Sequence, residues 1–283
     1  PGHPETDLPP AGMLPTKLVA DHVAPDVFQR AFQVVQDGLQ RGDSFLTNLT
    51  FPTPISTAAN LEDIYWQSEA KYRILLPEQF VCFSPETFVT INDEGYIESR
   101  PMKGTALDTP AARFELQNSA KEVAEHATIV DLIRNDLSQV AKRVRVTDYR
   151  YFHKIATSSR GLVQTSSKIG GHLPTNWKAK LGTILATLLP AGSVSGAPKP
   201  ATLDIIRRAE PAPRGYYCGI GGYFDGHTVD TCVLIRFIEK TAMKGLLFRS
   251  GGGITARSNW REEYAELQAK IRIPTNLASF SLH

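Results

Sequence analysis

Ser99-Arg100-Pro101-Met102-Lys103-Gly104-Thr105 is the stretch around which the chain is organised. A lysine stands between a proline and a glycine at the end of an expected β-strand. Pro101 fixes the backbone on one side, and Gly104 permits a turn on the other. A lysine so placed is either held still and aimed at a site, or is the solvated residue of a surface turn. The residues before it read as a hairpin. Strands at 80–83 and 87–91 are interrupted at Ser84-Pro85-Glu86, Asn92-Asp93-Glu94-Gly95 is the turn, and the returning strand delivers Lys103.

Toward the N-terminus, residues 1–24 are rich in proline and polar residues and read as an extended lead-in. The chain begins at Pro1, so natural N-terminal strands are expected to precede it. Residues 25–283 are expected to form a single domain. Pro25 opens a helix in which Val27, Phe28, Ala31, Phe32, Val35 and Leu39 follow helical spacing, and Gly42 ends it. Residues 45–51 alternate as a strand. Residues 60–76 read as a helix followed by an extended piece.

Toward the C-terminus, the pattern predicts a helix over 119–136, strands near 151–157 and 162–168, and a helix over 176–189 ended by Pro190. A loop at 191–196 leads into a helix entered through Pro198. Residues 216–224 and 228–238 pair around Asp225-Gly226-His227. A strand at 246–249 runs into Gly251-Gly252-Gly253, and a last helix spans 259–271. Hairpins alternate with helices, which argues for an α+β fold of antiparallel sheets.

The 283 residues fit one large domain or two small ones. A net charge of +2 without a long basic run gives no electrostatic reason to expect nucleic acid. No apolar run approaches the ~20 residues of a membrane span, and no signal peptide opens the chain. Three scattered cysteines, Cys82, Cys218 and Cys232, form no C-x-x-C pair. They point to reduced thiols and a cytoplasmic setting rather than to a disulfide frame or a zinc site.

Several motifs carry possible chemistry. Glu122 and Glu125 lie three apart on one helix, so both carboxylates share a face. They suit a metal, although Ser119-x-x-Glu122 is also a capping box. Glu263, Glu266 and Lys270 form a second stripe, readable as metal ligands or as an ordinary charged face with an i,i+4 pair. Two such carboxylate pairs together would suit Mg²⁺. Gly251-Gly252-Gly253 offers backbone N–H groups to a carboxylate or phosphate, or is a plain turn. Ser193 and Ser195 sit in a glycine-bounded loop, where they could meet an anion, or Ser195 could cap the next helix. Gly192-Ser193-Val194-Ser195-Gly196 has valine at the nucleophile position of G-x-S-x-G, which argues against a hydrolase elbow. His153 ends a strand and reads as structural or as a site residue.

Together these motifs resemble the chorismate-utilising enzymes. The resemblance rests on Arg-Pro-Met-Lys-Gly-Thr at 100–105, Glu-His-Ala-Thr-Ile-Val-Asp-Leu-Ile-Arg-Asn-Asp at 125–136, and Pro-Ala-Gly-Ser-Val-Ser-Gly-Ala-Pro-Lys at 190–199. Arg-Gly-Tyr-Tyr-Cys-Gly-Ile-Gly-Gly-Tyr-Phe-Asp-Gly at 214–226 and Gly-Gly-Gly-Ile-Thr-Ala-Arg-Ser at 251–258 complete the set, in the family's order. The resemblance implies an anthranilate synthase large-subunit-like fold, with antiparallel sheets packed as a sandwich and helices outside. It implies a Mg²⁺ site for chorismate, held mainly by Glu125 and Glu263 with help from Glu122 and Glu266. Tyr217, Arg236 and the amides of Gly251, Gly252 and Gly253 would bind a substrate carboxylate. Ser193 and Lys270 fall at substrate-contact positions, His153 matches a histidine near the reacting ring, and Glu86 matches a general acid.

Lys103 selects a branch. Anthranilate synthases usually carry a small residue there, whereas the large subunits of aminodeoxychorismate synthase carry lysine in Pro-Ile-Lys-Gly-Thr; Met102 replaces that isoleucine. The resemblance to this branch implies covalent catalysis by Lys103 and amination of chorismate at C4, on the route to 4-aminobenzoate and folate. A Cys-His glutaminase signature is not visible, so ammonia would come from a separate amidotransferase subunit or from solution. Isochorismate and salicylate synthases place a water-activating lysine where Leu46 stands, which disfavours attack by water. The tryptophan-binding motif Asn-Pro-Ser-Pro-Tyr is replaced around Phe51-Pro52-Thr53-Pro54. Anthranilate synthesis and a non-catalytic chorismate-binding homologue are the alternatives.

Overall fold

The computed structural model describes residues 12–155, 161–241 and 245–275. In chain order its elements begin with β1 (Leu18–Ala20), α1 (Pro25–Gln40), β2 (Leu46–Thr57), α2 (Leu61–Gln67), β3 (Tyr72–Leu76), β4 (Phe80–Ser84), β5 (Thr87–Ile91) and β6 (Tyr96–Ser99). Next come β7 (Met102–Leu107), α3 (Pro110–Asn118), α4 (Ala120–Ser138), β8 (Lys142–Ile155), β9 (Leu162–His172) and α5 (Leu181–Leu188). The last are β10 (Gly196–Ala197), α6 (Lys199–Ala209), β11 (Ile220–Phe224), β12 (Val229–Val233), β13 (Phe237–Thr241), β14 (Gly245–Ile254) and α7 (Trp260–Ala269). Short 3₁₀ turns occur at Trp177–Lys180 and Gly192–Val194. The strands pair antiparallel, as an α+β chain of hairpins requires. Residues 1–11 of the expected lead-in and 156–157 of the expected strand lie outside the described residues.

The chain forms two compact units. The first contains the described residues up to Pro85, Val194–Tyr223 and the described residues from Val233 onward; the second contains Glu86–Ser193 and Phe224–Cys232.

In the first unit a sheet runs β1-β2-β14-β13-β4-β3, with β10 paired to β2. Helix α1 starts at Pro25, whose fixed φ and missing N–H suit the first helical turn. Its residues Phe28, Ala31, Phe32, Val35 and Leu39 recur every three or four positions and bury one face. They pack with Leu49 and Phe51 of β2, Ile205 of α6, Ile254 of β14 and Leu267 of α7. Each large side chain so buried contributes about 1.5–3 kcal/mol. A second cluster joins Ile55, Ile64, Val81, Phe83, Ile238 and Phe248.

Two details depart from expectation. The strand expected over 228–238 is two strands, β12 and β13, which belong to different sheets. The ladder cannot run through Arg236, whose φ is +53°. Gly251, Gly252 and Gly253 do not follow a strand but lie inside β14, opposite Thr50, Leu49 and Asn48 of β2.

In the second unit β12, β5, β6, β9 and β7 lie in that order, and β8 pairs with β9. Here the returning strand of the hairpin ends at Ser99, and Lys103 belongs to the next strand, β7. Both β6 and β7 lie on β9, the first along His172–Ile169 and the second along Ser166–Leu162. Pro101 makes the break, since it has no N–H for a ladder. Its carbonyl accepts from Ser167 N and from Ser166 Oγ, each at 3.2 Å.

Helix α3 was not expected. Its signal is Thr109-Pro110: Thr109 Oγ1 accepts from Ala112 N, and proline opens the first turn. Helix α4 is capped by Ser119, whose Oγ accepts from Glu122 N at 3.3 Å. The reciprocal half of the expected capping box is not made, because Ser119 N–H donates to the Glu115 carbonyl of α3.

Candidate active site

The second unit gathers Lys103, Glu122 and Glu125 on two elements. Lys103 is placed by a bulge in β7, where the register against β9 shifts between Lys103 and Thr105. Gly104 occupies the bulge at φ +69°, a conformation that favours glycine. A Cβ added there would stand 2.6 Å from Glu122 Oε2, so the Glu122 carboxylate lies directly over the bulge. One turn along α4, Glu125 Oε2 is 3.7 Å from Lys103 Nζ. The two side chains are 16% and 27% exposed respectively, an ion pair at the edge of solvent.

Residues not singled out from the sequence hold this arrangement. Thr165, Ser166 and Ser167 of β9 are all buried. Thr165 Oγ1 donates to the Lys103 carbonyl, and Ser166 and Ser167 both engage Pro101. His126, next to Glu125, is fully buried and its Nε2 meets Ser167 Oγ at 2.7 Å. Its pKa is lowered to about 4, by burial first and then by the positive charges of Arg150 and Lys103. The sequence signal for this rail is three consecutive hydroxyl residues in a strand, a pattern that fits any polar edge equally well.

Of the other sequence-derived candidates in this unit, Glu86 is half-buried between β4 and β5, and Ser193 is half-buried in the second 3₁₀ turn. His153 is exposed on β8, opposite Gln164. Its neighbour Phe152 is the residue opposite Thr165, the register partner of Lys103. Alternation along a strand therefore gives His153 the other face of the sheet.

The first unit gathers a second set. Along β14 the pairing with β13 ends at Arg249, so the edge of 250–253 away from β2 lies beyond that ladder. Helix α7 covers it: the position of a Cβ on Gly252 is 3.5 Å from Glu263 Oε2, 3.6 Å from Lys270 Nζ and 3.9 Å from Glu266 Oε1. Lys270 Nζ donates to the Gly251 carbonyl at 2.7 Å and pairs with Glu266 Oε1 at 2.6 Å. The i,i+4 pair read from the sequence is thus formed. Glu263 is buried. Arg236 Nη1 donates to the Lys270 carbonyl at 3.2 Å, and burial lowers its pKa. Tyr217 is buried, and burial together with the neighbouring Cys218 pushes its phenol well above 10, so it remains a neutral donor. The alternative of Ser195 as a helix cap is not realised, since Pro198 occupies the cap of α6.

Arg214, quoted in the sequence motif without a role, clamps this unit. It donates to Glu210 Oε1 at 2.5 Å, Glu210 Oε2 at 2.9 Å, the Val194 carbonyl at 2.5 Å and the Asn48 carbonyl at 2.8 Å. The Glu210 carboxylate also accepts from Thr50 N.

The four carboxylates are hard oxygen donors of the kind Mg²⁺ takes, and buried Glu263 lies where positive charge is favourable. The donor chemistry therefore fits that ion. Glu122 and Glu125 belong to the second unit, and Glu263 and Glu266 to the first. Among the described residues no three His, Cys, Asp or Glu side chains gather into one ligand group.

The antiparallel sheets and the motifs carried on them agree with one family, the chorismate binding enzymes. The chain belongs to that family, whose model matches residues 4–276. A relative from Pasteurella multocida, described as an uncharacterised PabA-like protein, is 51% identical over 261 residues, covering 92% of this chain and 80% of the relative. Aminodeoxychorismate synthase component 1 of Salmonella typhimurium is 34% identical over 260 residues, covering 85% of this chain and 55% of that protein. Anthranilate synthase component I from Streptococcus pneumoniae superposes with a TM-score of 0.75 at 27% identity, over 91% of this chain and 58% of that one. The chain thus spans little more than half the length of the last two. The expected chorismate-binding fold is borne out. Among the described residues no helix is long and apolar enough to cross a membrane, and all three cysteines are free thiols.

Proposed function

We propose that this chain aminates chorismate at C4, giving 4-amino-4-deoxychorismate, with Lys103 as a covalent nucleophile. The observation that carries the proposal is the Lys103 amine on a rigid bulge, 3.7 Å from Glu125. An amine held at a fixed point suits attack on a bound ring far better than a solvated turn would.

After its ammonium proton passes to solvent, the Lys103 amine attacks C2 of chorismate. The ring double bonds shift, and the C4 hydroxyl leaves as water with a proton from Glu86. Ammonia then attacks C4 and returns a proton to Glu86, the double bonds shift back, and the Lys103 amine leaves C2. The sum is chorismate plus ammonia to aminodeoxychorismate plus water. Tyr217 and Arg236 donate to a substrate carboxylate, the Gly251–Gly253 edge offers it backbone N–H groups, and Ser193 and Lys270 orient the rest. Glu125 and Glu263 would be the main ligands of Mg²⁺, with Glu122 and Glu266 in support. When bound, the ion supplies Lewis-acid polarisation at the ring carboxylate. The resemblance assigns His153 to the neighbourhood of the ring, a role that its exposed place on β8 does not by itself support.

Ammonia would come from a separate glutamine amidotransferase subunit or from solution, and the setting would be cytoplasmic. Incubation with chorismate, Mg²⁺ and ammonium, followed by product mass and retention time, tests the reading. The expected product is the 4-amino compound. Anthranilate would place the chain with the C2-aminating branch, and unconsumed chorismate would make it a binding homologue.

A further inference from the structure

His126 is a fully buried polar group for which the mechanism has no use. Burying an imidazole in a helix–sheet interface costs free energy that an apolar side chain would not. Its Nδ1 has no hydrogen-bond partner among the described residues, whereas its Nε2 meets Ser167 Oγ at 2.7 Å. The bond between Nε2 and the Ser167 hydroxyl is therefore the one polar contact that holds the ring, whichever of the two carries the shared proton. Ser167 Oγ also accepts from Arg150 N–H at 2.9 Å. The ring packs edge-on against Tyr149, with centroids 5.7 Å apart.

The other buried residues of α4 are Ile129, Val130, Leu132, Ile133 and Leu137, which attract without fixing a register, and Asp136, which lies three turns further along the helix from Glu125. The His126 bond is directional. At its helix end it adjoins Glu125. At its strand end it meets Ser167, two residues from Thr165, whose hydroxyl holds the Lys103 carbonyl. We propose that His126 is a positioning residue, which locks α4 to β9 through Ser167 and so sets the separation between the Glu125 carboxylate and the Lys103 amine. The catalytic consequence rests on the reading of Lys103 as nucleophile, but the clamp does not.

The test separates the two. Metal-free protein is pulsed with acetic anhydride, and acetylation of Lys103 is read by peptide mass spectrometry, with Glu125→Gln as the reference for a lost pair. His126→Phe keeps an aromatic ring against Tyr149 without a ring nitrogen, Ser167→Ala removes the hydroxyl, and His126→Gln restores a hydrogen-bonding group near Nε2. Lys103 labelling is expected to rise roughly two- to five-fold in His126→Phe and Ser167→Ala, the size of losing a partly exposed ion pair, with His126→Gln close to wild type. Turnover should fall on the order of tenfold in the same two variants, with KM for chorismate nearly unchanged. Wild-type labelling in both variants would overturn the proposal; if His126→Phe fails to fold, Ser167→Ala decides alone. Altered labelling in a protein whose wild type does not turn over chorismate supports the clamp and rejects the nucleophile.

Discussion

Lys103 Nζ stands 3.7 Å from Glu125 Oε2, the amine carried by a strand and the carboxylate by a helix. A pair so spaced is more than a surface contact, because each partner is fixed by its own backbone device. On the strand side the device is the bulge at Gly104 with the Thr165 bond to the Lys103 carbonyl. On the helix side it is the Ser119 cap and the buried contacts of α4.

Gly104→Ala tests the bulge. The new methyl meets a positive φ and stands 2.6 Å from Glu122 Oε2 and from Leu116 Cδ1. Both neighbours are side-chain tips and can move, so the left-handed backbone sets most of the cost, about 1–2 kcal/mol. Denaturant melts should show a lower midpoint with an unchanged slope. Turnover should fall further than stability does, because Lys103 and Glu122 are displaced together.

Arg214→Met tests the clamp of the first unit. It leaves the Glu210 carboxylate, only 4% exposed, without its cation. Removing one partner of a buried pair costs about 3–5 kcal/mol. Arg214→Met combined with Glu210→Met should recover much of the loss, and a double-mutant cycle by chemical denaturation measures the coupling. Additive losses would contradict the assignment.

Acid titration of Asp225 has a defined sign. Its carboxylate accepts from His227 N, Thr228 N and Thr228 Oγ1, and these bonds hold its pKa at about 2. The folded value lies below the ordinary 3.8, so the unfolded chain binds the proton more readily. The stability contributed by this turn is complete above about pH 4 and is lost as pH falls toward 2. Carboxyl NMR should place the Asp225 midpoint near 2, and Asp225→Asn should abolish this part of the acid dependence.

Magnesium dependence tests the carboxylate assignments. Glu263→Gln and Glu125→Gln should each raise the Mg²⁺ concentration needed for turnover roughly tenfold or more, since both remove a charged oxygen from a hard cation. Calorimetric titration with Mg²⁺ in the presence of chorismate should show the same weakening. Unchanged Mg²⁺ affinity in both variants would remove these residues from the ligand set.

Much of this architecture was legible because apolar spacing and punctuation agree. Pro25, the 28–39 stripe and Gly42 delimit α1, and Asn92-Asp93-Glu94-Gly95 marks the turn between β5 and β6. The missed features depend on contacts distant in sequence. That β12 and β13 part at Arg236 follows from a backbone angle that arginine rarely adopts. That 251–253 is a strand rather than a turn follows from its partner, β2, some two hundred residues earlier. Glu122 read as one half of a capping box, and that half is not made because the Glu115 carbonyl, on a helix the sequence did not reveal, takes the Ser119 N–H. His126 and Ser167 are 41 residues apart, and no local pattern pairs them.

The most direct measurement compares wild type with Lys103→Ala in chorismate, Mg²⁺ and ammonium, following 4-amino-4-deoxychorismate by mass and retention time. The account predicts product from the wild type and none from Lys103→Ala, with chorismate binding by calorimetry retained in the variant. Formation of the 4-amino compound at the wild-type rate by Lys103→Ala would contradict it.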